Sequence, residues 1–175
     1  MSSPFICKFL FKVLAVLFTQ SLIAQSIQPI VQKGANGENI SLWVDYNNKK
    51  PTIHSMIVKS NLSDNNLILL SSENRLVISQ PLFVMNHAGQ GVALWQSHDQ
   101  KDANVYIEAA AYSSDLGWSS SQILSDETTI VEPSNYHLYL DESGILIVFW
   151  NILTSNILKQ KTTINKVYEV DDFYK

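Results

Sequence analysis

Gly89-Gln90-Gly91-Val92-Ala93-Leu94-Trp95 is the stretch that decides the fold, because its frame recurs on both sides of it. Gly37 precedes Trp43 by six residues, just as Gly89 precedes Trp95 and Gly144 precedes Trp150. The triplets Ile40-Ser41-Leu42, Val92-Ala93-Leu94 and Ile147-Val148-Phe149 each lead into the tryptophan. A second marker runs in step, since Pro29, Pro81 and Pro133 follow one another at intervals of 52 residues. Self-similarity at a period of this size is the signature of propellers, solenoids or arrays. The chain therefore reads as three copies of one β-rich unit, at about 29–80, 81–132 and 133–175, within a domain spanning 25–175.

The second copy is the clearest. Strands are predicted over 82–85, 92–96, 105–112 and 122–125, separated by the turn Asn86-His87-Ala88-Gly89, a polar turn over 97–102, and Ser113-Ser114-Asp115-Leu116-Gly117-Trp118. In the third of these strands Val105, Ile107, Ala109 and Ala111 take one face and Tyr106, Glu108, Ala110 and Tyr112 the other. With 92–96 apolar on both faces, the sheet is expected to lie between two neighbours. The first copy has strands predicted at 30–31, 40–44, 52–58 and 67–70. The third has 136–140, 145–150 and a third strand over 162–170, and it stops before a fourth strand has room to follow.

Four short antiparallel strands in about 50 residues describe one propeller blade, which hides its faces against the next. The fold class expected is thus all-β, a partial β-propeller of about three four-stranded antiparallel blades preceded by a signal helix. Closed rings have roughly 4 to 8 blades, so three cannot close one. The chain is expected either to pair with a second copy, making six blades, or to be the surviving piece of a longer gene.

Lys8 and Lys12 precede the apolar run 13–18, and residues 19–24 end in Ala24, the layout of a secretory signal peptide cleaved after Ala24. The apolar run is short of the ~20 residues that span a bilayer, which makes an uncleaved anchor the second reading, and no stable membrane insertion is expected once the segment is removed. The destination is secreted, periplasmic or cell-surface. Removal of the segment leaves 10 basic against 16 acidic residues, a balance that argues against a nucleic-acid partner. The single cysteine, Cys7, lies inside the segment, so no disulfide, thiolate metal site or cysteine nucleophile is expected in the mature chain.

The second copy resembles the bacterial sialidase-like propeller repeats, on Gly-x-Val-Ala-Leu-Trp, Val105-Tyr-Ile-x-Ala-Ala-x-Tyr-Ser-Ser and Gly117-Trp-Ser. The likeness covers 29–150 and is strongest in the middle. Ser113-x-Asp115-x-Gly117 is similar to the Asp-box of sialidases, although the aromatic of that motif comes later than Trp118 does here. The resemblance implies a fold and withholds an activity. A sialidase site needs three arginines on the substrate carboxylate, a tyrosine nucleophile paired with a glutamate, and a further acid, whereas Arg75 is the only arginine in the chain. Lysine lacks the planar two-pronged grip that would replace them.

Residue by residue, packing outweighs chemistry. Trp43, Trp95 and Trp150 recur at one place in the frame and are read as core. Trp118 occurs once, after a turn, and is a candidate ligand contact, together with Asp115, Glu108 and His98. Glu108 is the most unusual carboxylate: facing a channel it would bind or catalyse, and facing a neighbouring blade it requires a hydrogen-bond partner. His87, His98, Asp99 and Asp102 lie in turns without metal-ligand spacing, and His137 is read as a lining or edge residue. Ser119-Ser120-Ser121 lack a histidine and acid in triad relation. Asn39-Ile40-Ser41 and Asn61-Leu62-Ser63 fit the glycosylation pattern. No cofactor and no catalytic residue is implied. Three functions remain: an exported non-enzymatic binding or assembly module with a protein or glycan ligand, a glycan-active hydrolase using acids such as Glu108 and Asp115, or a truncated propeller without independent function.

Overall fold

The computed structural model describes residues 28–46, 50–59, 66–99, 104–125, 130–155 and 160–175. The signal segment with Cys7, Asp102 and Asn61-Leu62-Ser63 lie outside the described residues. Strands β1 (Ile30–Lys33), β2 (Asn39–Asp45), β3 (Thr52–Val58) and β4 (Asn66–Leu69) form one antiparallel meander in the order β1-β2-β3-β4. The second sheet is built on β7 (Gln90–Asp99) paired with β8 (Val105–Ser113). Both β5 (Arg75–Val77) and β6 (Leu82–Met85) pair with the inner side of β7. On the far side β9 (Gly117–Trp118) and β10 (Gln122–Ile123) pair with β8. The third sheet has three strands, β11 (Ile130–Leu140), β12 (Ile145–Ser155) and β13 (Gln160–Glu169), in that order. The fold is a partial β-propeller, with two departures from a set of four-stranded blades: the second sheet has six strands, since β5 as well as β6 pairs with β7 and β9 as well as β10 pairs with β8, and a 3-10 helix (Val170–Tyr174) follows β13 where a fourth strand would begin.

The helix starts there because Glu169 and Asp172 cap each other's backbone N–H groups reciprocally. It then turns Val170 and Phe173 into the core. A short turn of helix covers the open end of the sheet with two apolar side chains.

Three identical turns mark the repeat. In the first, the Gly34 N–H donates to the Glu38 carbonyl (2.8 Å) and the Gly37 N–H to the Gly34 carbonyl (3.1 Å). The same pair of bonds joins Asn86 with Gln90 and Gly89 with Asn86, then Asp141 with Ile145 and Gly144 with Asp141. This is a three-residue hairpin loop closed by a residue in the left-handed region. Gly37, Gly89 and Gly144 sit there at φ 79°, 81° and 88°. The recurring glycine of the sequence frame is thus the turn residue that this loop demands.

Alternation then sorts the side chains into two interfaces. Ile40, Leu42, Val44 and Ile53 of the first sheet meet Phe83, Ala93, Trp95, Ala110 and Tyr112 of the second. The other side of the second sheet, with Val92, Leu94, Ile107, Ala109 and Ala111, meets Leu146, Val148 and Trp150 of the third. The two faces expected for 105–112 are therefore both buried, each against a different neighbour. Alanines in the centre let the sheets approach, and Trp95 and Trp150 fill the space at one edge, 0% and 2% exposed.

Each tryptophan points toward the sheet that precedes its own. Trp43 follows the same rule, but no described sheet precedes the first, so Trp43 is half-buried and stacks on His54 at 6.0 Å.

Candidate functional site

The interface between the first and second sheets holds the polar groups with the most chemical potential. Trp95 pairs with Glu108 across β7 and β8, and Ser97 lies two residues on along the same face. Arg75, opposite Asp99 in β5, projects from that face too. Glu108 is fully buried and accepts hydrogen bonds from Arg75 Nε and from Ser97 Oγ (2.7 Å) through Oε1. Its Oε2 has no hydrogen-bond partner among the described residues. The sole arginine is therefore the counter-ion of the buried carboxylate, and it reaches Glu108 from inside the fold.

A second buried carboxylate was not singled out in the sequence. Glu38, at the end of the first glycine turn, is 1% exposed and accepts from Ser114 Oγ (2.6 Å) and Tyr112 Oη (2.9 Å). Burial pushes its carboxyl upward, but the bonds from Ser114, from the backbone and from Tyr112 outweigh it and hold the pKa below the ordinary value. Burial, reinforced by Glu38, drives the Tyr112 phenol well above its usual range. A Cβ on Gly34 would lie 2.3 Å from Glu38 Cδ, so the carboxylate occupies the space a side chain would take. One signal could have pointed to it: Glu38 stands where Gln90 and Ile145 stand in the other two turns, and its strand face turns inward.

Trp118 also belongs to this interface. Its Nε1 donates to Ser55 Oγ of the first sheet (2.9 Å), and its ring lies 5.3 Å from Tyr112 and 5.5 Å from Phe83. Asp115 is exposed in the turn beyond β8, where its N–H donates to Ser113 Oγ (3.3 Å). His98 sits at the other end of the sheet, half-buried, with Nδ1 donating to the Asp99 carbonyl (2.7 Å).

The four candidates do not converge. Glu108 lies five strand residues before the end of β8, which at ~3.3 Å per residue separates it by roughly 17 Å from the turn that carries Asp115. Glycosidase carboxylates stand ~5–10 Å apart across a cleft. His137 lies opposite Phe149 on the outer face of the third sheet and is exposed. Among the described residues no three His, Cys, Asp or Glu side chains gather as metal ligands.

The turns themselves are linked. Asn86 Nδ2 donates to the Asp141 carbonyl (2.9 Å), the Ser114 N–H to the Gly89 carbonyl and the Val170 N–H to the Gly144 carbonyl, both at 3.0 Å. His87 lies on Glu142, its Nδ1 2.8 Å from Oε1 and its N–H donating to Oε2 at 3.0 Å. The hydrogen bond and charge of Glu142 raise the His87 pKa, and His87 lowers that of Glu142. Beside them an open pocket of about 290 Å³ is bordered by Gln90, Gly144, Glu169 and Asp171.

The remaining surface feature is at the two ends of the stack. The outer face of the first sheet exposes Val31 (54%), Leu67 (59%) and Leu69 (44%). The outer face of the third exposes Tyr139 (59%), Ile145 (39%) and Val167 (65%). Among the described residues no helix is long and apolar enough to cross a membrane.

No family model and no curated protein matches the chain. Among solved structures it is similar to an endo-arabinase from Bacteroides thetaiotaomicron, with a TM-score of 0.43 and 15% sequence identity, over 81% of this chain. The match spans 54% of that enzyme's chain.

Proposed function

We propose that the chain is an exported, non-enzymatic assembly module made of sialidase-like propeller blades, whose working surfaces are the two outermost sheet faces. The observation that carries the proposal is where polarity and apolarity fall. Glu108 accepts from Arg75 and Ser97, and Glu38 accepts from Tyr112 and Ser114, all within the fold, whereas large apolar side chains stand exposed in rows at both ends of the stack. Contiguous exposed apolar surface on a sheet is characteristic of a protein contact. The sialidase-like kinship draws support from the position of Ser113-x-Asp115-x-Gly117, which turns the chain between β8 and β9 with Gly117 at φ 78°.

Two measurements test the proposal. The exported protein should begin at Gln25 by intact mass, the signal having been cut after Ala24. Incubated with arabinan and with sialosides, it should release no reducing sugar or sialic acid above a blank. Turnover that disappears in Glu108→Gln or Asp115→Asn would replace the assembly module with a hydrolase.

A further inference from the structure

We infer that the partner of these end faces is a second copy of this chain, docked head to tail so that two copies close a six-bladed ring. The inference rests on the assembly-module proposal and names its partner. Each sheet has two different faces, one carrying the frame tryptophan and one carrying the residues that alternate with it. Inside the chain the tryptophan face of one sheet always meets the other face of the sheet before it. Trp95 lies in the interface with Ile40, Leu42 and Val44. Trp150 lies in the interface with Val92 and Leu94.

Among the described residues one face of each kind is left over. The first sheet presents Trp43, Met56, Val31, Leu67 and Leu69 outward, on the strand positions opposite its buried Ile40-Leu42-Val44 row. The third presents Ile145, Ile147, Phe149, Tyr139 and Val167, opposite Leu146-Val148-Trp150. The free tryptophan face therefore lacks the kind of face that another copy of this chain leaves open.

Register and number agree. Met56 is paired with Ser41, four residues after Gly37, and Ala110 with Ala93, four after Gly89, so Met56 and Ala110 are equivalent. By the same count Val167, paired with Ile147, is equivalent to Ile57, paired with Ile40. Ala110 and Ile57 belong to one core cluster between the first two sheets, so Met56 of one copy and Val167 of the next are expected to share a cluster too. Exposed Lys33 precedes the first glycine turn on the tryptophan face, and exposed Glu169 pairs with Ile145 beside the third turn on the other. Head-to-tail docking brings these opposite charges to the same rim. Closed propellers have roughly 4 to 8 blades, and two copies of the three described sheets make six, the only multiple within that range. The symmetry is a two-fold axis through the centre of the ring, with two identical contacts, each joining unlike faces.

The test is thiol cross-linking in a Cys7→Ser background, with a bismaleimide spanning about 10 Å, the distance between packed sheets. Met56→Cys with Val167→Cys in one chain should give a covalent dimer. Either substitution alone should give none, while the two single variants mixed should cross-link. Light scattering should return twice the chain mass. Leu67→Asp and Val167→Asp should each raise the dimer dissociation constant at least ~10-fold with the circular dichroism spectrum unchanged. A covalent dimer from Met56→Cys alone would mean that like faces meet, and the head-to-tail ring would be overturned. A monomer at every concentration would overturn the second copy as partner. In that monomer, binding of a hydrophobic dye that Leu67→Asp abolishes would leave the assembly module standing with a different partner, and no dye binding would remove it as well.

Discussion

Arg75 and Glu108 show how a single side chain can be conspicuous while its role stays hidden. Strand alternation placed Glu108 on an apolar face among alanines, where a carboxylate without a partner costs several kcal/mol. Its partner was not legible, because Arg75 lies in a strand of three residues, too short to show any period. Glu38 was missed for a related reason: beside a turn, a glutamate reads as solvated, and only the packing of the next sheet buries it. The pair makes a direct prediction. Arg75→Ala leaves a fully buried carboxylate without its counter-ion and should destabilise the fold by about 3–5 kcal/mol in urea melts. Arg75→Met combined with Glu108→Leu should recover most of that loss, since two apolar side chains need no compensation. Equal destabilisation by the double variant would assign the pair a shape-specific role instead. His87 and Glu142 predict a pH response. The His87 value is raised, so its contribution is complete below the ordinary 6.5 and fades as pH climbs through the raised value. The Glu142 value is lowered, so its share is complete above the ordinary 4.5 and fades as pH falls through the lowered value. The contact between the second and third turns is thus fullest between those two ordinary values. In an NMR titration Glu142→Gln should return the His87 midpoint toward the ordinary one; a midpoint that does not move would show that the contact does not form in solution.

At the scale of elements, the longer strands were legible, and of the shortest only β10 was expected, within 122–125. β7 and β8 carry continuous, largely apolar runs within strands of ten and nine residues, whereas β5 and β9 are held by the neighbours they pair with and have no pattern of their own. Pro133, which in sequence marked the start of the third copy, lies within β11, where the pairing with β12 shifts register between Val131 and Tyr136. A proline has no N–H to give a ladder, so an irregular stretch is where a strand accommodates one. The glycine turns allow a quantitative comparison. Gly37 and Gly89 have nearly the same φ, but a Cβ on Gly37 meets nothing within 4 Å, whereas one on Gly89 would come within 2.6 Å of Ser114 Oγ and 2.8 Å of Ala35 Cβ. Gly37→Ala should therefore cost only the left-handed conformation, roughly 1–2 kcal/mol. Gly89→Ala adds crowding between two turns and should cost about 1–3 kcal/mol more. Equal costs in paired urea melts would mean that the first two turns do not lean on each other.

For the molecule as a whole, a row of sheets in which each touches only its neighbours behaves as a nearly one-dimensional stack, with stability set by the interfaces each member shares. The middle sheet has two such interfaces and the outer ones have one each, an inequality that composition could not reveal and that follows from which faces the alternation buries. Amide exchange should record it. Protection in β7 and β8 should approach that of global unfolding, while β4 and β13 should exchange through local opening at a lower free energy. The same experiment responds to assembly. If a second copy covers both end faces, each sheet gains the missing neighbour, and the gap between middle and outer strands should narrow as protein concentration rises. Dilution, or Val167→Asp, should restore it. Outer strands as slow as β7 and β8 in a dilute monomer would contradict a stack of leaning sheets, because nothing in a one-dimensional array lets an end member, with half the contacts, hold as firmly as the centre.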